Sequence, residues 1–149
     1  MQKIVVIGGG TMGLDIAQVF ARKSFDVVVR DIKDELIQAS RARLVKGLDK
    51  LVAKGKMDEA KKADILAHMS FTTDLNLAAD ADLVIESMAE DTQAKIDFYK
   101  KLAPVLPQKT VVVTNSSTLL PSTFAKYTGR PEKYLSLHFA NSIWKNNMT

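Results

Sequence analysis

The sequence contains no cysteine and no long run of apolar residues. Without cysteine the chain forms no disulfide bond and does no thiol chemistry, which is compatible with a reducing cytoplasm. Its early apolar run, residues 4–7, is far too short for a signal peptide or a membrane span. Its histidines and acidic residues show no convincing metal-ligand spacing. These absences predict a cytoplasmic protein that binds neither a membrane nor a metal.

Repeats and low-complexity segments are also missing, and 46% of the residues are hydrophobic, which excludes general disorder. A length of 149 residues corresponds to one ordinary domain with a substantial core.

What the sequence does have is a glycine-rich turn near its start. An apolar run at residues 3–7 leads into Gly8, Gly10 and Gly13, which have GxGxxG spacing. A helix-like segment follows, and a second apolar run ends at Asp31. This order of strand, glycine turn, helix, strand and acid is typical of a dinucleotide-binding unit, whereas the glycine spacing alone would be weak evidence.

The glycines have distinct roles in binding a dinucleotide. Gly8 permits the tight turn, Gly10 lets the backbone approach the pyrophosphate, and Gly13 lets helix and strand pack closely. The helix then begins near Thr11 and Met12, where free N–H groups and the positive end of the helix dipole favour an anion.

Asp31 lies 18 residues after the last of these glycines, close to where an acid binds the ribose hydroxyls. Its charge would repel the 2′-phosphate of NADP, although Arg30 and Lys33 lie beside it and partly offset that repulsion. NAD is therefore the predicted cofactor, and NADP is less favoured.

The rest of the chain alternates between helical and extended patterns, which predicts an α/β fold with a doubly wound, mainly parallel sheet of Rossmann type. Polar residues fall at the carboxyl ends of the predicted strands, where ligands gather in such sheets: Gly8, Asp31, Glu86, Asn115 and His138. After the second strand, helices at about 35–53 and from a cap at Asp58 to Met69 form a hairpin excursion. A further helix begins at a cap on Asp91, and another lies near 121–127. Strands lie at 82–86, 110–114 and 134–138.

The hairpin carries most of the positive charge. Residues 41–62 hold eight basic residues against three acidic ones, a net charge of +5 in a chain of net charge +4. Arg43, Lys46, Lys50 and Lys54 have the spacing of one helix face. That face is either solvated, which the residues alone favour slightly, or a site for a phosphate-rich ligand. No aromatic residues interleave with the basic ones, so nucleic acid is not an expected partner.

His138 ends an apolar strand and has the residue type of a general base near neutral pH. Its alternative is a structural histidine bonded to backbone, and the residues alone do not separate the two. Ser117 lies just past another strand, where it caps a helix or orients a substrate. No tyrosine has a lysine four residues later, which excludes the tyrosine–lysine short-chain reductases.

Six segments together carry a more specific pattern: residues 6–13, 16–20, 29–32, 83–86, 114–117 and 137–141. The pattern resembles the N-terminal, NAD-binding domain of 3-hydroxyacyl-CoA dehydrogenases, especially bacterial 3-hydroxybutyryl-CoA dehydrogenases. The resemblance covers essentially all 149 residues.

The resemblance implies a role for each matching residue. His138 matches the base that takes the 3-hydroxyl proton while hydride moves from C3 to the nicotinamide. Ser117 and Asn141 match residues that hold the reacting oxygen and the nicotinamide end. Cofactor contacts are implied for Asp31, Glu90, Lys95 and Asn115, and the basic hairpin becomes the site of the coenzyme A phosphates, with Lys50, Lys54 and Lys56 as the selected lysines.

The chain departs from the family pattern near the base. The family usually has His-Phe-Phe-Asn-Pro, whereas here Ala140 and Ser142 replace a phenylalanine and the proline, which leaves the acyl chain and the substrate open. Ser87 stands where the family commonly has alanine.

The family also pairs its histidine with a glutamate twelve residues later and adds a helical C-terminal domain that forms a homodimer. That glutamate would be position 150, so we expect this chain to be an excised or truncated domain that binds cofactor and turns over its acyl-CoA substrate very slowly or not at all. Apolar surface including Ile143, Trp144 and Met148 predicts self-association. The alternative is a nucleotide-binding module in which His138 and Ser117 are only structural.

Overall fold

A computed structural model of the chain describes residues 2–140 as one sheet with helices packed on both faces. The strands are β1 (Lys3–Ile7), β2 (Asp26–Arg30), β3 (Met69–Thr72), β4 (Leu83–Glu86), β5 (Val111–Thr114) and β6 (Tyr134–Ser136), and the α-helices are α1 (Thr11–Ala21), α2 (Asp34–Ala53), α3 (Glu59–Ala67), α4 (Thr92–Leu102) and α5 (Pro121–Ala125).

The six strands have the order β3-β2-β1-β4-β5-β6, and each neighbouring pair is parallel. The predicted doubly wound α/β fold is thus confirmed. The chain moves outward from β1 to β3, then crosses back to place β4 on the other side of β1. Because the strand order reverses there, the helices on either side diverge and leave a crevice at the carboxyl ends of β1 and β4.

Both faces of the sheet are buried, which is why the strands are continuously apolar rather than alternating. On one face, Ile4 and Val6 of β1 lie in a core with Leu14 and Ile16 of α1. On the other face, Val5 and Ile7 lie in a core that also holds Phe98, Tyr99, Leu102 and Phe124.

The helical hairpin after β2 is also present. Ile37, Leu44 and Leu48 are the buried apolar positions of α2, as the predicted stripe requires, and Leu51 is half-buried. Gly55 has φ of +65°, the left-handed conformation that ends a helix. The Asp58 carboxylate accepts a hydrogen bond of 2.6 Å from the Lys61 N–H, so the predicted cap is confirmed.

The prediction that this second hairpin helix continues to Met69 is wrong. It ends at Ala67, and Met69 begins β3, whose register pairs it with Val27 of β2. The spacing of Ile65, Leu66 and Met69 fits a helix, and a four-residue edge strand has too few residues to show its own period. Only pairing with β2 makes this segment a strand. None of the helices within residues 2–140 combines the length and apolar character needed to cross a membrane.

The remaining boundaries differ from the predictions by one or two residues. In particular, β6 ends at Ser136, so His138 lies in the loop that follows the strand rather than on the strand itself.

Candidate functional site

A cavity of about 500 Å³ lies in the crevice at the carboxyl edge of the sheet. Its walls come from the glycine turn and the start of α1 on one side, and from the segments after β4, β5 and β6 on the other. The lining residues are Gly10, Thr11, Met12, Gly13, Ser87, Met88, Ala89, Glu90, Asn115, Ser117, His138 and Phe139.

The glycine turn has a shape that other residues cannot take. Gly8 has φ of +97°, and a Cβ there would lie 2.4 Å from the carbonyl oxygen of Ser87. A Cβ on Gly13 would lie 1.9 Å from the carbonyl oxygen of Gly8. Both neighbours are backbone, so neither contact can be relieved by rotating a side chain.

The cavity floor suits a phosphate. The first N–H groups of α1, as of any helix, have no intrahelical acceptor. Gly10, which precedes the helix, has no side chain that could accept from them. A Cβ on Gly10 would meet nothing within 4 Å, which shows that this backbone faces open space. Thr11, Met12 and Gly13 therefore present N–H groups and the positive helix end to the cavity, as the pyrophosphate of a dinucleotide requires.

Asp31 lies at the end of β2 and is held by backbone. Its Oδ2 accepts a hydrogen bond of 2.8 Å from the Gly9 N–H, and its Oδ1 accepts one of 2.7 Å from the Ile32 N–H. Each carboxylate oxygen keeps a further lone pair for a ribose hydroxyl. The Nε of Arg30 donates to the carbonyl of Thr73, the residue that follows β3, at 3.2 Å.

A second cavity, of about 350 Å³, adjoins Asp31 and is mainly apolar. Ile32 and Leu36 line it and are exposed, and Met88 and Ala89 form its other wall. Its position beside Asp31 suits a flat base such as adenine.

Ser40 of α2 is a supporting residue that sequence reasoning missed. Its Oγ donates a hydrogen bond of 2.6 Å to the Gly9 carbonyl, so the hairpin helix holds the glycine turn. The serine stands nine residues after Asp31 in a helical pattern, and nothing in its spacing signals this contact.

His138 and Asn115 come together on the opposite wall. The Nδ1 of His138 lies 3.1 Å from the Asn115 carbonyl oxygen, and the Oδ1 of Asn115 accepts a hydrogen bond of 2.8 Å from the Phe139 N–H. A carbonyl oxygen only accepts, so Nδ1 carries a proton, and in the neutral imidazole Nε2 then has the free lone pair. The two alternatives for His138 are therefore compatible, because a backbone bond orients the ring of a potential base.

Glu90 and Ser117 also meet at the cavity. The Glu90 carboxylate accepts a hydrogen bond of 2.8 Å from the Ser116 hydroxyl and one of 3.3 Å from the Ser117 N–H. These bonds join the segment after β4 to the segment after β5.

Lys95 lies beneath the cavity rather than on its surface. It is fully buried, and its Nζ lies 2.9 Å from both carboxylate oxygens of Glu86 and 3.7 Å from Oε2 of Glu90. Tyr99 donates its hydroxyl to the same Glu86 at 3.0 Å. Burial, reinforced by the Glu86 charge, raises the pKa of Tyr99 far above its ordinary value, so its hydroxyl stays a donor.

The three lysines predicted to bind the coenzyme A phosphates lie at the far end of α2 and in the turn after it. Lys50, Lys54 and Lys56 are exposed, and none of them makes an ion pair within residues 2–140. By contrast, Lys62 is paired with Asp49 and Glu59. The basic face also reaches the cavity, where Arg43 donates to the Thr11 hydroxyl at 3.2 Å.

Asn141 lies outside the described residues, as do Ile143, Trp144 and Met148, so their predicted roles stay predictions. Within residues 2–140, no three histidine or acidic side chains form a group that could hold a metal ion.

The sheet order and the glycine turn define a dinucleotide-binding domain of the Rossmann type, with Asp31 at the end of β2, where such domains carry an acid. The sequence profile of the family described as "3-hydroxyacyl-CoA dehydrogenase, NAD binding domain" matches residues 3–148. The chain belongs to this family of oxidoreductases, and NAD is its cofactor.

Three relatives illustrate the match. The chain is 41% identical to a 3-hydroxybutyryl-CoA dehydrogenase of Clostridioides difficile, over 95% of the chain and 50% of the relative. The structure of (S)-3-hydroxybutyryl-CoA dehydrogenase from Ralstonia eutropha superimposes with a TM-score of 0.91 at 30% identity, covering 96% of this chain and 50% of that one. The structure of a diketoreductase that acts on dicarbonyl compounds superimposes with a TM-score of 0.90 at 39% identity, covering 99% of this chain and 53% of that one. The chain spans about half the length of the curated relatives it matches.

Proposed function

We propose that the chain provides the cofactor site and the general base of an NAD-dependent 3-hydroxyacyl-CoA dehydrogenase, with 3-hydroxybutyryl-CoA as the substrate type. The observation that carries the proposal is the orientation of His138 at the cavity wall. Its Nδ1 is held on the Asn115 carbonyl, which leaves Nε2 as the proton acceptor across the cavity from the glycine turn.

The cofactor site fits NAD. Thr11, Met12 and Gly13 hold the pyrophosphate, and Asp31 binds the adenosine ribose. When bound, NAD supplies the hydride acceptor. Glu90 and Asn115 line the part of the cavity that receives its nicotinamide half.

The chain's own residues move the proton. Nε2 of His138 takes the proton of the 3-hydroxyl group as the carbonyl forms, and in the reverse direction the same nitrogen returns it to the keto oxygen. Ser117, with Asn141, holds the reacting oxygen. Because His138 is exposed, water competes with the substrate for Nε2, and turnover by these 149 residues alone is expected to be slow.

Replacing the base tests this role directly. His138→Gln should lower the rate of NADH oxidation with acetoacetyl-CoA by about 100-fold or more, while the Kd for NADH, measured by calorimetry, changes less than about twofold. His68→Gln is the matched control, because His68 bonds the Asp64 carbonyl in the hairpin, away from the cavity. Equal rates well above the uncatalysed reaction would contradict the role of His138 as the base. NADH binding with no turnover by either protein would favour the nucleotide-binding module.

The basic face of α2 is proposed to bind the phosphates of coenzyme A through Lys50, Lys54 and Lys56. Unpaired, exposed lysines attract phosphates over a range set by the ionic strength. We also propose that the enzyme is a homodimer. The exposed Leu120 and Leu135 give these 149 residues apolar surface for self-association, which sedimentation at several concentrations would detect as a rising mass.

A free dicarbonyl compound is the second candidate substrate. It is favoured by the similarity to the diketoreductase, which extends over 99% of the chain, and by Ala140, which removes an aromatic ring beside the base.

Charge reversal at Lys54 separates the two substrates. Lys54→Glu should raise KM for acetoacetyl-CoA about threefold to tenfold at low salt, since removing one hydrogen bond to a phosphate costs about 1 kcal/mol. The KM for ethyl acetoacetate, which has no coenzyme A, should not change. Lys101→Glu, exposed on α4, is the control. A KM for acetoacetyl-CoA that Lys54→Glu leaves unchanged would favour the dicarbonyl substrate.

A further inference from the structure

Glu86 is the most highly bonded side chain beneath the cavity, and its burial is complete. Its Oε1 accepts from the Met88 N–H at 2.7 Å and from Lys95, and its Oε2 accepts from Lys95, from Tyr99 and from the Thr114 hydroxyl at 2.8 Å. This set of donors includes an ammonium group, so it suits a carboxylate better than any neutral side chain.

A buried ion pair is a poor way to stabilise a core. Desolvating two charges costs several kcal/mol, and apolar residues of the same volume are often as stabilising or more so (about 1–4 kcal/mol). The Glu86–Lys95 pair is bonded to Tyr99, which belongs to a core that also holds Phe98 and Phe124. Its position at the carboxyl end of β4, directly under the cavity, suggests a role other than packing.

The pair is connected to the cavity wall at two points. Met88, whose N–H is bonded to Glu86, lines the cavity, and so does Glu90, which lies 3.7 Å from Lys95 Nζ. Glu86 thus holds both ends of the loop between β4 and α4, one end through the backbone and the other through Lys95.

We propose that Glu86 is a positioning residue for the cofactor: it holds Lys95 beneath the cavity and, through Lys95, sets the place of the Glu90 carboxylate on the cavity wall. Without the pair, Glu90 keeps only its bonds to Ser116 and Ser117 and loses its one nearby cation within residues 2–140.

The effect is confined to one half of the cofactor. The adenosine half lies against Asp31 on the β2 side, and a dinucleotide crosses the crevice where the strand order reverses. The nicotinamide half therefore lies over the ends of β4, β5 and β6, where Glu90 is. The inference rests on the proposed function for the direction in which the dinucleotide lies in the crevice, and it does not depend on catalysis by His138.

A two-ligand titration of the 149-residue chain tests the inference. Glu86→Gln should weaken binding of NADH about tenfold or more, whereas binding of ADP, which lacks the nicotinamide half, should change less than about twofold. Glu59→Gln is the matched control: it makes the same substitution at a glutamate that pairs with Lys62 in the hairpin, and it should leave both affinities within about twofold.

A purely structural role would weaken both ligands together, and that result would overturn the proposal, as would unchanged NADH binding. If wild type binds NADH and Glu86→Gln binds it equally, only the positioning role fails. If the wild-type chain binds no NADH, the proposed cofactor site and the positioning role are both contradicted.

A double variant covers the case in which Glu86→Gln does not fold. Glu86→Gln with Lys95→Met replaces the buried pair by neutral groups of similar volume, a change that buried pairs often tolerate. Circular dichroism should show a folded protein that has lost about tenfold in NADH affinity and has kept its affinity for ADP. Wild-type NADH binding in the double variant, or its failure to fold, would overturn the proposal.

Discussion

The two sides of the crevice are built in different ways. The β1–α1–β2 side is made almost entirely of backbone, with the glycine turn, the first N–H groups of α1 and one carboxylate, Asp31. The β4–β5–β6 side is made of side chains from three strand ends, joined by hydrogen bonds through Glu86, Glu90 and Asn115.

This difference predicts two kinds of failure. A backbone site depends on close approach, so a single added methyl group is enough to disrupt it. A side-chain network has several bonds that each contribute about 1 kcal/mol, so it should weaken in steps as its members are removed. The first side should therefore fail abruptly and the second gradually.

The largest effect is expected at the helix–strand contact of the backbone side. Gly13→Ala places a methyl group 1.9 Å from the Gly8 carbonyl oxygen, and the free energy of unfolding should fall by about 3 kcal/mol. Gly47→Ala is the control, because a Cβ there meets nothing within 4 Å in α2, and alanine should raise the free energy of unfolding by about 0.5–1 kcal/mol. Urea denaturation measures both. Equal changes for the two variants would contradict the close-packing argument.

The cofactor preference should change with Asp31. Asp31→Asn removes the charge that repels a 2′-phosphate, so the ratio of the Kd for NADPH to the Kd for NADH should fall about tenfold, or about 1.4 kcal/mol. Calorimetric titration with each cofactor gives the ratio. Asp26→Asn, exposed at the other end of β2, should leave it unchanged. A ratio that Asp31→Asn does not alter would remove this carboxylate from cofactor selection.

A smaller effect is expected on the side-chain wall. Ser116→Ala removes the donor to Glu90 and the acceptor of the Leu119 N–H, bonds of 2.8 and 3.0 Å. NADH affinity should fall about threefold to tenfold, with a loss of about 1 kcal/mol in the free energy of unfolding. Ser122→Ala, exposed on α5, is the control. Complete loss of NADH binding in a folded Ser116→Ala variant would show that this side also fails abruptly.

The smallest effect lies at the opposite edge of the sheet. Hydrogen bonds from the Gln2 N–H, the Lys109 ammonium and the Lys3 N–H hold the pKa of Asp82 well below its usual range. A lowered pKa gives stability that is present above the ordinary value of about 4 and is lost as the pH falls toward the folded-state value.

Asp82→Asn should therefore lower the urea midpoint slightly at pH 7, and the difference from wild type should shrink below about pH 4. Both NADH and ADP should bind as in wild type, because the amino edge of the sheet touches neither side of the crevice. A difference that grows in acid would reverse the sign of the argument.

The backbone side of the site was predictable from the sequence because its parts are close in the chain. Glycine spacing, the apolar strands and Asp31 all lie within the first 31 residues, and each has a local steric or electrostatic reason. The doubly wound sheet followed from the alternation of strands and helices. Two features could not be predicted in this way, because they depend on contacts between distant segments. They are β3, which exists only by pairing with β2, and the contact of Ser40 with Gly9, which spans 31 residues.

The fold class, the glycine turn and the position of the acid after the second strand could be derived from the sequence, since these depend on residue type and local spacing. The tertiary structure alone decided that Glu86, Lys95 and Tyr99 form one buried network, and that the Asn115 carbonyl orients His138. Hydrogen bonds between strand ends depend on which strands are neighbours and in what register. That information resides in the packing of the whole sheet and not in any single segment.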